Sequence, residues 1–276
     1  MRIGLTGATG TLGRRLSARL AAAGHEVVPF KGDVRQSATI APWLDGLDYV
    51  VHSAAVVPVD RVRDDLANAI HVNVIGAVNI AEAVAKKGNC GLAYISSSHV
   101  YAPSDAPLAE EAPTRPPSQY GLTKLQGENW VSSIMPASLI IRVFSFFDSN
   151  QPASYLVPAL TARIRAAEQG AVLSLRGAQC VRDIADADWI AGICAQLVSL
   201  QANGVVNCGT GHAFLVREIA TRLAAAMGRA DISWQGFPED AINALVADTG
   251  KLKRILGAMP EYALDLAFAD YIASLR

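Results

Sequence analysis

Charge is scarce in this chain. Only 18% of its 276 residues are Asp, Glu, Lys or Arg, and 24 basic against 25 acidic side chains leave a formal net charge of −1. So even a balance sets up no field for a polyanion and argues against nucleic acid as the main partner. Cysteine is equally sparse. Cys90, Cys180, Cys194 and Cys208 stand far apart with no CxxC pair, which argues against a disulfide framework and against a zinc site or other metal centre. Low-complexity tracts and internal repeats are missing too, and no apolar run approaches the ~20 residues that a membrane span requires. The first residues lead straight into a glycine turn instead of a secretory leader. With hydrophobic residues at 51%, disorder is excluded as well. These absences leave a globular chain suited to a reducing, cytoplasmic compartment, long enough for one large domain or two modest ones.

What is present is a rhythm. Short apolar runs of strand length alternate with amphipathic stretches of helix length, the pattern of a parallel sheet with crossover helices. Strands are expected at 2–6, 26–30, 48–52, 92–97 and 138–144, and helices at 11–23, about 37–44, 64–87 and about 118–133. The strands are almost wholly apolar, as when helices cover both faces of a sheet. Past residue 145 the rhythm loosens. Helices at 154–168, 185–199 and 216–227 alternate there with short strands near 172–175 and 205–207.

Two motifs carry chemistry. Between the first strand and the first helix lies Gly7-Ala8-Thr9-Gly10-Thr11-Leu12-Gly13. Glycine permits the tight turn, missing side chains let backbone N–H groups approach a pyrophosphate, and the helix N-terminus stabilises its charge. A strand–GxxGxxG–helix unit therefore points to a dinucleotide held by Gly7, Thr9, Gly10, Thr11, Leu12 and Gly13. Further on, Tyr120-Gly121-Leu122-Thr123-Lys124 is a YxxxK motif opening a helix 23 residues after Ser97. Residues four apart on a helix share a face, so phenol and ammonium point into the same space. A free tyrosine titrates near ~10; a nearby cation is expected to lower that value and turn the phenol into an acid–base catalyst.

Together these motifs resemble the short-chain dehydrogenase/reductase superfamily. Within it they are similar to the extended group, the NAD-dependent epimerase/dehydratase family, with the dTDP-4-dehydrorhamnose reductases nearest in flavour. The fold implied is α/β, a Rossmann-type doubly wound parallel sheet with a small, partly intercalated C-terminal substrate cap. Residues 1–145 would form the dinucleotide-binding part, with later segments returning to it, and 146–276 mainly the cap. The resemblance makes Tyr120 the proton donor, Lys124 the group that tunes the phenol and holds the nicotinamide ribose, and Ser97 the hydroxyl on the substrate oxygen. Ser98 is the alternative register.

The same resemblance reads further along the chain. NAD enzymes usually carry an acidic residue just after the second strand, where this chain has Lys31. A cation pairs with a 2′-phosphate, so NADP(H) is favoured over NAD(H), with Arg35 or Arg14 as helpers. Asp33-Val34 resemble the pair at the adenine, and His52-Ser53-Ala54-Ala55 resembles the HxAA segment beside the nicotinamide half. His52 and His71 themselves are read as packing residues, and Asn73 as the family's helix asparagine. The dehydratases of the group place an Asp-Glu pair directly after the Ser/Thr; Ser98-His99 stand there instead, which discounts water loss. If the strand continues, His99 points to the same side as Ser97, as a second acid/base group or as a substrate contact. Phe144 lies in the segment that covers the nicotinamide, and Arg182 in a shortened RDxxxVxD segment whose arginine often reaches a nucleotide diphosphate. The implied activity is a 4-ketoreductase of a nucleotide-linked sugar. A C4-epimerase with tightly bound NAD, a reductase of a small ketone or aldehyde, and a non-catalytic NADP sensor are the alternatives. The implied partner is a small molecule, with neither membrane nor nucleic acid, and a homodimer is possible.

Overall fold

Six apolar runs pair edge to edge in the order Gly204–Cys208, Leu139–Val143, Gly91–Ser97, Tyr49–His52, Arg2–Thr6, Glu26–Pro29, and every pairing is parallel. The structure is a computed structural model that describes residues 1–57, 59–237 and 243–275. Tyr49–His52 and Leu139–Val143 are buried at every position, because helices cover both faces of the sheet. On one face Ile3, Leu5, Val51 and Ile141 pack with Leu16 and Leu20 of the helix Thr11–Ala22 and with Ile190, Ile193 and Leu197 of Ala187–Ser199. On the other, the alternate strand residues Val50, Leu92, Tyr94 and Ile140 meet Ile80, Ala81 and Val84 of Gly76–Lys87 and Val131 of Gln119–Ile134. The chain first moves outward from Arg2–Thr6 to Glu26–Pro29 and then returns to Tyr49–His52 on the opposite side. That reversal is a topological switch point, where the carboxyl ends of the strands open a crevice.

The sheet body is not confined to the first half of the chain. Gly204–Cys208 is its edge strand, and Ala187–Ser199 lies against the first helix. The helices Leu156–Ala166, Val216–Ala226 and Leu264–Ala273 form a second core around Phe147, Leu160, Ile219, Leu223 and Phe268. Short strand pairs stitch this region together: Ser145–Phe147 with Ile184–Asp186, Val172–Leu175 with Ser233–Gly236, and Val181–Arg182 between Phe214–Leu215 and Ala244–Leu245.

Three sequence expectations need correction. The helix expected over 64–87 breaks at Asp65, whose carboxylate accepts from the Asn68 N–H at 3.1 Å and caps a new start at Leu66. A short acidic side chain competes in this way for backbone donors. Val59–Asp64 is a separate helix, and a π-helical turn, His71–Ile75, interrupts the long one. Leu66–Lys87 is also long and apolar enough to cross a membrane by length and composition, with a mean hydropathy of 1.2. Its apolar side, Ala77, Ile80, Ala81 and Val84, is buried against the sheet. Finally, the strand carrying Ser97 stops there. Ser98–Val100 is a 3₁₀ turn, begun when the Ser97 hydroxyl accepts from the His99 N–H at 3.2 Å.

The pairing of Thr11–Ala22 with Ala187–Ser199 makes the late helix part of the early fold. Leu197→Ala, at a site with no exposure, is therefore expected to cost about 2–5 kcal/mol in denaturant unfolding followed by circular dichroism. A loss well under 1 kcal/mol would mean that this helix contributes little to the body.

Candidate active site

The glycine turn closes through a hydrogen bond from Gly10 N–H to the Gly7 carbonyl at 2.9 Å. Gly7 has φ +70°, a left-handed conformation that favours glycine. Gly10 places no side chain over the start of the helix Thr11–Ala22, and the first turn carries no acid. Its N–H groups thus stay available to an anion. Facing the turn, the Thr6 hydroxyl accepts from Ser53 N–H at 3.1 Å and Ala54 N–H at 3.2 Å and lies 2.7 Å from His52 Nδ1. With both lone pairs occupied, the hydroxyl proton goes to Nδ1, which leaves the proton of the neutral ring on Nε2. Burial, aided by the Lys124 charge, pulls His52 down to about 3, so the ring stays neutral and serves as an anchor for the 53–55 loop.

A cavity of about 640 Å³ runs from the turn to the second core. Gly7, Thr9, Gly10, Thr11, Leu12, Gly13, Ser53, Ala54 and Ala55 line one end of it, and Ser97, Ser98, His99, Tyr120, Lys124, Phe144 and Arg182 the rest. Lys31, Asp33 and Val34 lie outside. Lys31 is exposed with no ion-pair partner among the described residues. Asp33 is paired to Arg35 at 2.6 Å, which holds its carboxyl below the usual range, and Arg35 also donates to Asn68 at 3.0 Å. Val34 is buried where a Cβ on Gly76 would strike it. Arg14 donates to the Thr9 carbonyl at 3.0 Å. Both helper guanidiniums therefore have partners, whereas Lys31 has none among the described residues.

The helix Gln119–Ile134 begins at Ser118, whose hydroxyl accepts from Gly121 N–H at 3.1 Å. That cap brings Tyr120 and Lys124 in at the cavity floor. The Tyr120 hydroxyl faces Ser97, and its ring meets His99 edge-on at 5.6 Å between centroids. Burial pushes the phenol up to about 12, against the opposing pull of the Ser97 hydroxyl. The lowering expected from the neighbouring ammonium is not found: burial dominates, and Lys124, itself drawn down to about 7, is uncharged where the phenol titrates. Lys124 Nζ lies 4.1 Å over the Tyr94 ring, and burial pulls it down to about 7, opposed by Glu128. His99 is also lowered, first by burial and then by Arg182. It reaches the cavity from the 3₁₀ turn, not from a continued strand.

Glu128 carried no motif signal, and the roles of the other polar groups around the site were not read from the segments that contain them. Glu128 accepts from Arg142 and Ser96 directly below Lys124. The π turn brings Asn73 inward, where its amide donates to Thr123 at 3.0 Å and accepts from Val56 N–H at 2.7 Å. Asp183, beside Arg182, gathers Thr210 N–H and hydroxyl, Gly211 N–H and Ala247 N–H within 3.2 Å. Asn207 donates to the Leu108 carbonyl at 2.7 Å and accepts from Tyr101 at 2.6 Å, away from the cavity. These side chains are spread over the chain and meet only in the fold.

The parallel sheet, its switch-point crevice and the glycine turn define a Rossmann-type protein with the architecture of the short-chain dehydrogenases/reductases. The chain belongs to the RmlD substrate binding domain family, which matches residues 1–236. It is 31% identical over 176 residues to a dTDP-4-dehydrorhamnose reductase of Mycolicibacterium smegmatis, covering 62% of this chain and 53% of that protein's length. It is 28% identical to the GDP-6-deoxy-D-mannose reductase of Pseudomonas aeruginosa, over 81% of this chain and 79% of that one. The solved Pseudomonas aeruginosa RMD structure, complexed with NADPH, shares the fold with a TM-score of 0.88 at 22% identity, over 99% and 98% of the two chains.

Lys124 supplies a stability test of the site. In the unfolded chain it titrates at its ordinary 10.5 and in the folded one at about 7. Between these values the unfolded state binds more protons, so stability rises with pH across that window. Lys124→Met is expected to raise Tm, by more at pH 6.5, where most of the buried lysine carries its charge, than at pH 9. Calorimetry showing an equal difference at both pH values would contradict the buried-ammonium description.

Proposed function

We propose that this protein is an NADP(H)-dependent 4-ketoreductase of a nucleotide-linked sugar. The observation that carries the reading is the convergence of Ser97, Tyr120 and Lys124 on one cavity that begins at the glycine turn. The residues present fit a dinucleotide. A Cβ on Gly7 would lie 2.7 Å from Ala54 N, so the turn is bare backbone, and the helix N-terminus beside it is uncapped. Gly10, Thr11, Leu12 and Gly13 would hold the pyrophosphate, Ser53–Ala55 would flank the nicotinamide half, and Lys31 would meet a 2′-phosphate. When bound, the cofactor supplies a hydride to the keto carbon.

The chain's own groups complete the reduction. Ser97 and Tyr120 donate hydrogen bonds to the keto oxygen, and Tyr120 releases its proton to the alkoxide as it forms. A phenol held protonated by burial is suited to that task. The charge that develops is then felt strongly, because the site excludes water. Lys124 stabilises the resulting phenolate and offers a donor to the ribose. Ser98 and His99 stand where water loss would require two carboxylates, which supports reduction over dehydration. Arg182, half-buried at the cavity wall, would meet a diphosphate. The relatives named as reductases of dTDP- and GDP-linked sugars agree with this substrate class.

A panel of 4-keto sugar nucleotides assayed with NADPH and NADH tests the reading, with oxidation of NADPH expected for at least one. Turnover of a simple ketone alone would remove the nucleotide sugar from it. Tyr120→Phe is expected to lower kcat by about 10²–10⁴-fold with NADPH affinity retained; a variant that kept most of its rate would show that another group is the acid.

Cofactor choice has its own test. Lys31→Asp is expected to move the kcat/KM preference from NADPH towards NADH, and an unchanged ratio would exclude Lys31 as the 2′-phosphate contact.

A further inference from the structure

A buried ion pair lies directly beneath Lys124. The side chains of Glu128 and Arg142 are 5% and 6% exposed. The Glu128 carboxylate accepts from Arg142 Nη2 at 2.8 Å and Nε at 3.0 Å, and the Ser96 hydroxyl donates to its Oε1. Arg142 is fixed in turn by donation to the Glu110 carbonyl at 2.9 Å and by the Tyr101 ring, 4.7 Å away at its centroid. Stability alone is a poor reason for such a pair. Removing two charges from water costs about as much as their attraction returns, and apolar side chains of similar volume often do as well.

The surroundings of Lys124 supply a reason. Its Nζ has no hydrogen-bond acceptor among the described residues and rests on the face of the Tyr94 ring. The strand Gly91–Ser97 presents Tyr94 and Ser96, Tyr49–His52 presents the neutral His52, and Leu139–Val143 presents Arg142. The helix itself contributes Tyr120 and Glu128. Of these groups Glu128 is the one that is anionic at neutral pH. It stands four residues after Lys124, which puts the two side chains on the same helical face. The bond from Ser96 also ties Glu128 to the residue before Ser97, so both halves of the proposed catalytic set hang on one carboxylate.

We propose that Glu128 is a positioning residue for Lys124: clamped by Arg142 and Ser96, it supplies the counter-charge that holds the ammonium in the cavity beside Tyr120. Burial drags Lys124 down, and Glu128 is the group that opposes it. The inference rests on the ketoreductase reading only in taking Lys124 as part of the site.

The test reads Lys124 directly in cofactor-free protein. Acylation by acetic anhydride is followed across pH by mass spectrometry of the Lys124 peptide, for the parent, Glu128→Gln, Glu128→Asp and the double variant Glu128→Met/Arg142→Met. The double variant avoids leaving Arg142 as an unpaired buried charge. The labelling midpoint is expected to fall by about 1 pH unit or more in Glu128→Gln and in the double variant, and to stay near the parent value in Glu128→Asp. In turnover with NADPH, kcat of the double variant should fall more at pH 8 than at pH 6, with KM little changed. An unchanged midpoint in a cooperatively folding double variant would overturn the proposal. So would failure of both the Gln and the double variant to fold, which would assign the pair to structure. A shifted midpoint in a protein that reduces no keto sugar would leave this inference standing and remove the ketoreductase reading.

Discussion

Gly7 ends the first strand with no room for a side chain. An added Cβ would press on the backbone of Ala54 at 2.7 Å, and one on Gly13 would strike the Gly7 carbonyl. Three backbones therefore touch where the strand order reverses: the turn, the start of the first helix, and the loop after Tyr49–His52. Thr6, one residue earlier, ties that loop down with its hydroxyl, and His52 fixes the hydroxyl. Because all six strands are parallel, Ser97 and Phe144 reach the same edge of the sheet from the next two strands. The position of the site follows from this backbone approach, and the side chains then give the site its chemistry.

That chemistry is governed by burial. Tyr120 and Lys124 are both driven towards their neutral forms, and so are His52 and His99. Charge persists below the cavity only where it is paired, as in Glu128 with Arg142, or surrounded by donors, as in Asp183. Even Asp183, with four donors on its oxygens, is raised by desolvation. A low-dielectric floor of this kind strengthens any charge that appears during reaction and any interaction aimed at it. Lys124, resting on the Tyr94 ring, has no hydrogen-bond acceptor among the described residues to offset that burial.

The parts legible in the sequence were those with a local cause. A glycine turn between a strand and a helix needs no distant contact to be read, and four-residue spacing on a helix fixes the relation of Tyr120 to Lys124. The five early strands were legible because full burial makes them continuously apolar. The rest arises from contacts between residues far apart in the chain. Glu128 and Arg142 resemble any charged pair until the helix and strand are brought together. The π turn at Asn73 and the cap at Asp65 depend on side-chain hydrogen bonds that compete with the helix, and apart from Val172–Leu175, which the sequence did show, the late strands of two to four residues are too short to show a period. The expected fall in the Tyr120 titration failed for the same reason, since burial is a property of the fold and not of the spacing.

The division near residue 145 belongs to the sequence more than to space. Ile190 and Leu197 pack on the helix that starts at the glycine turn, while Phe147 opens the second core. Arg15 of that same helix is paired at 2.7 Å with Asp148, just beyond Phe147, and Asp148 is buried. The turn that would hold a pyrophosphate and the wall that carries Arg182 are therefore joined through the interior as well as across the cavity. On the far wall, Asp183 draws the 209–211 turn and Ala247 onto the two-residue strand bearing Arg182. A net charge of −1 conceals this arrangement. The two cations that the proposed reading assigns to phosphates lie singly, Lys31 at one end and Arg182 at the other, each held at its distance from the glycine turn by the packing between them.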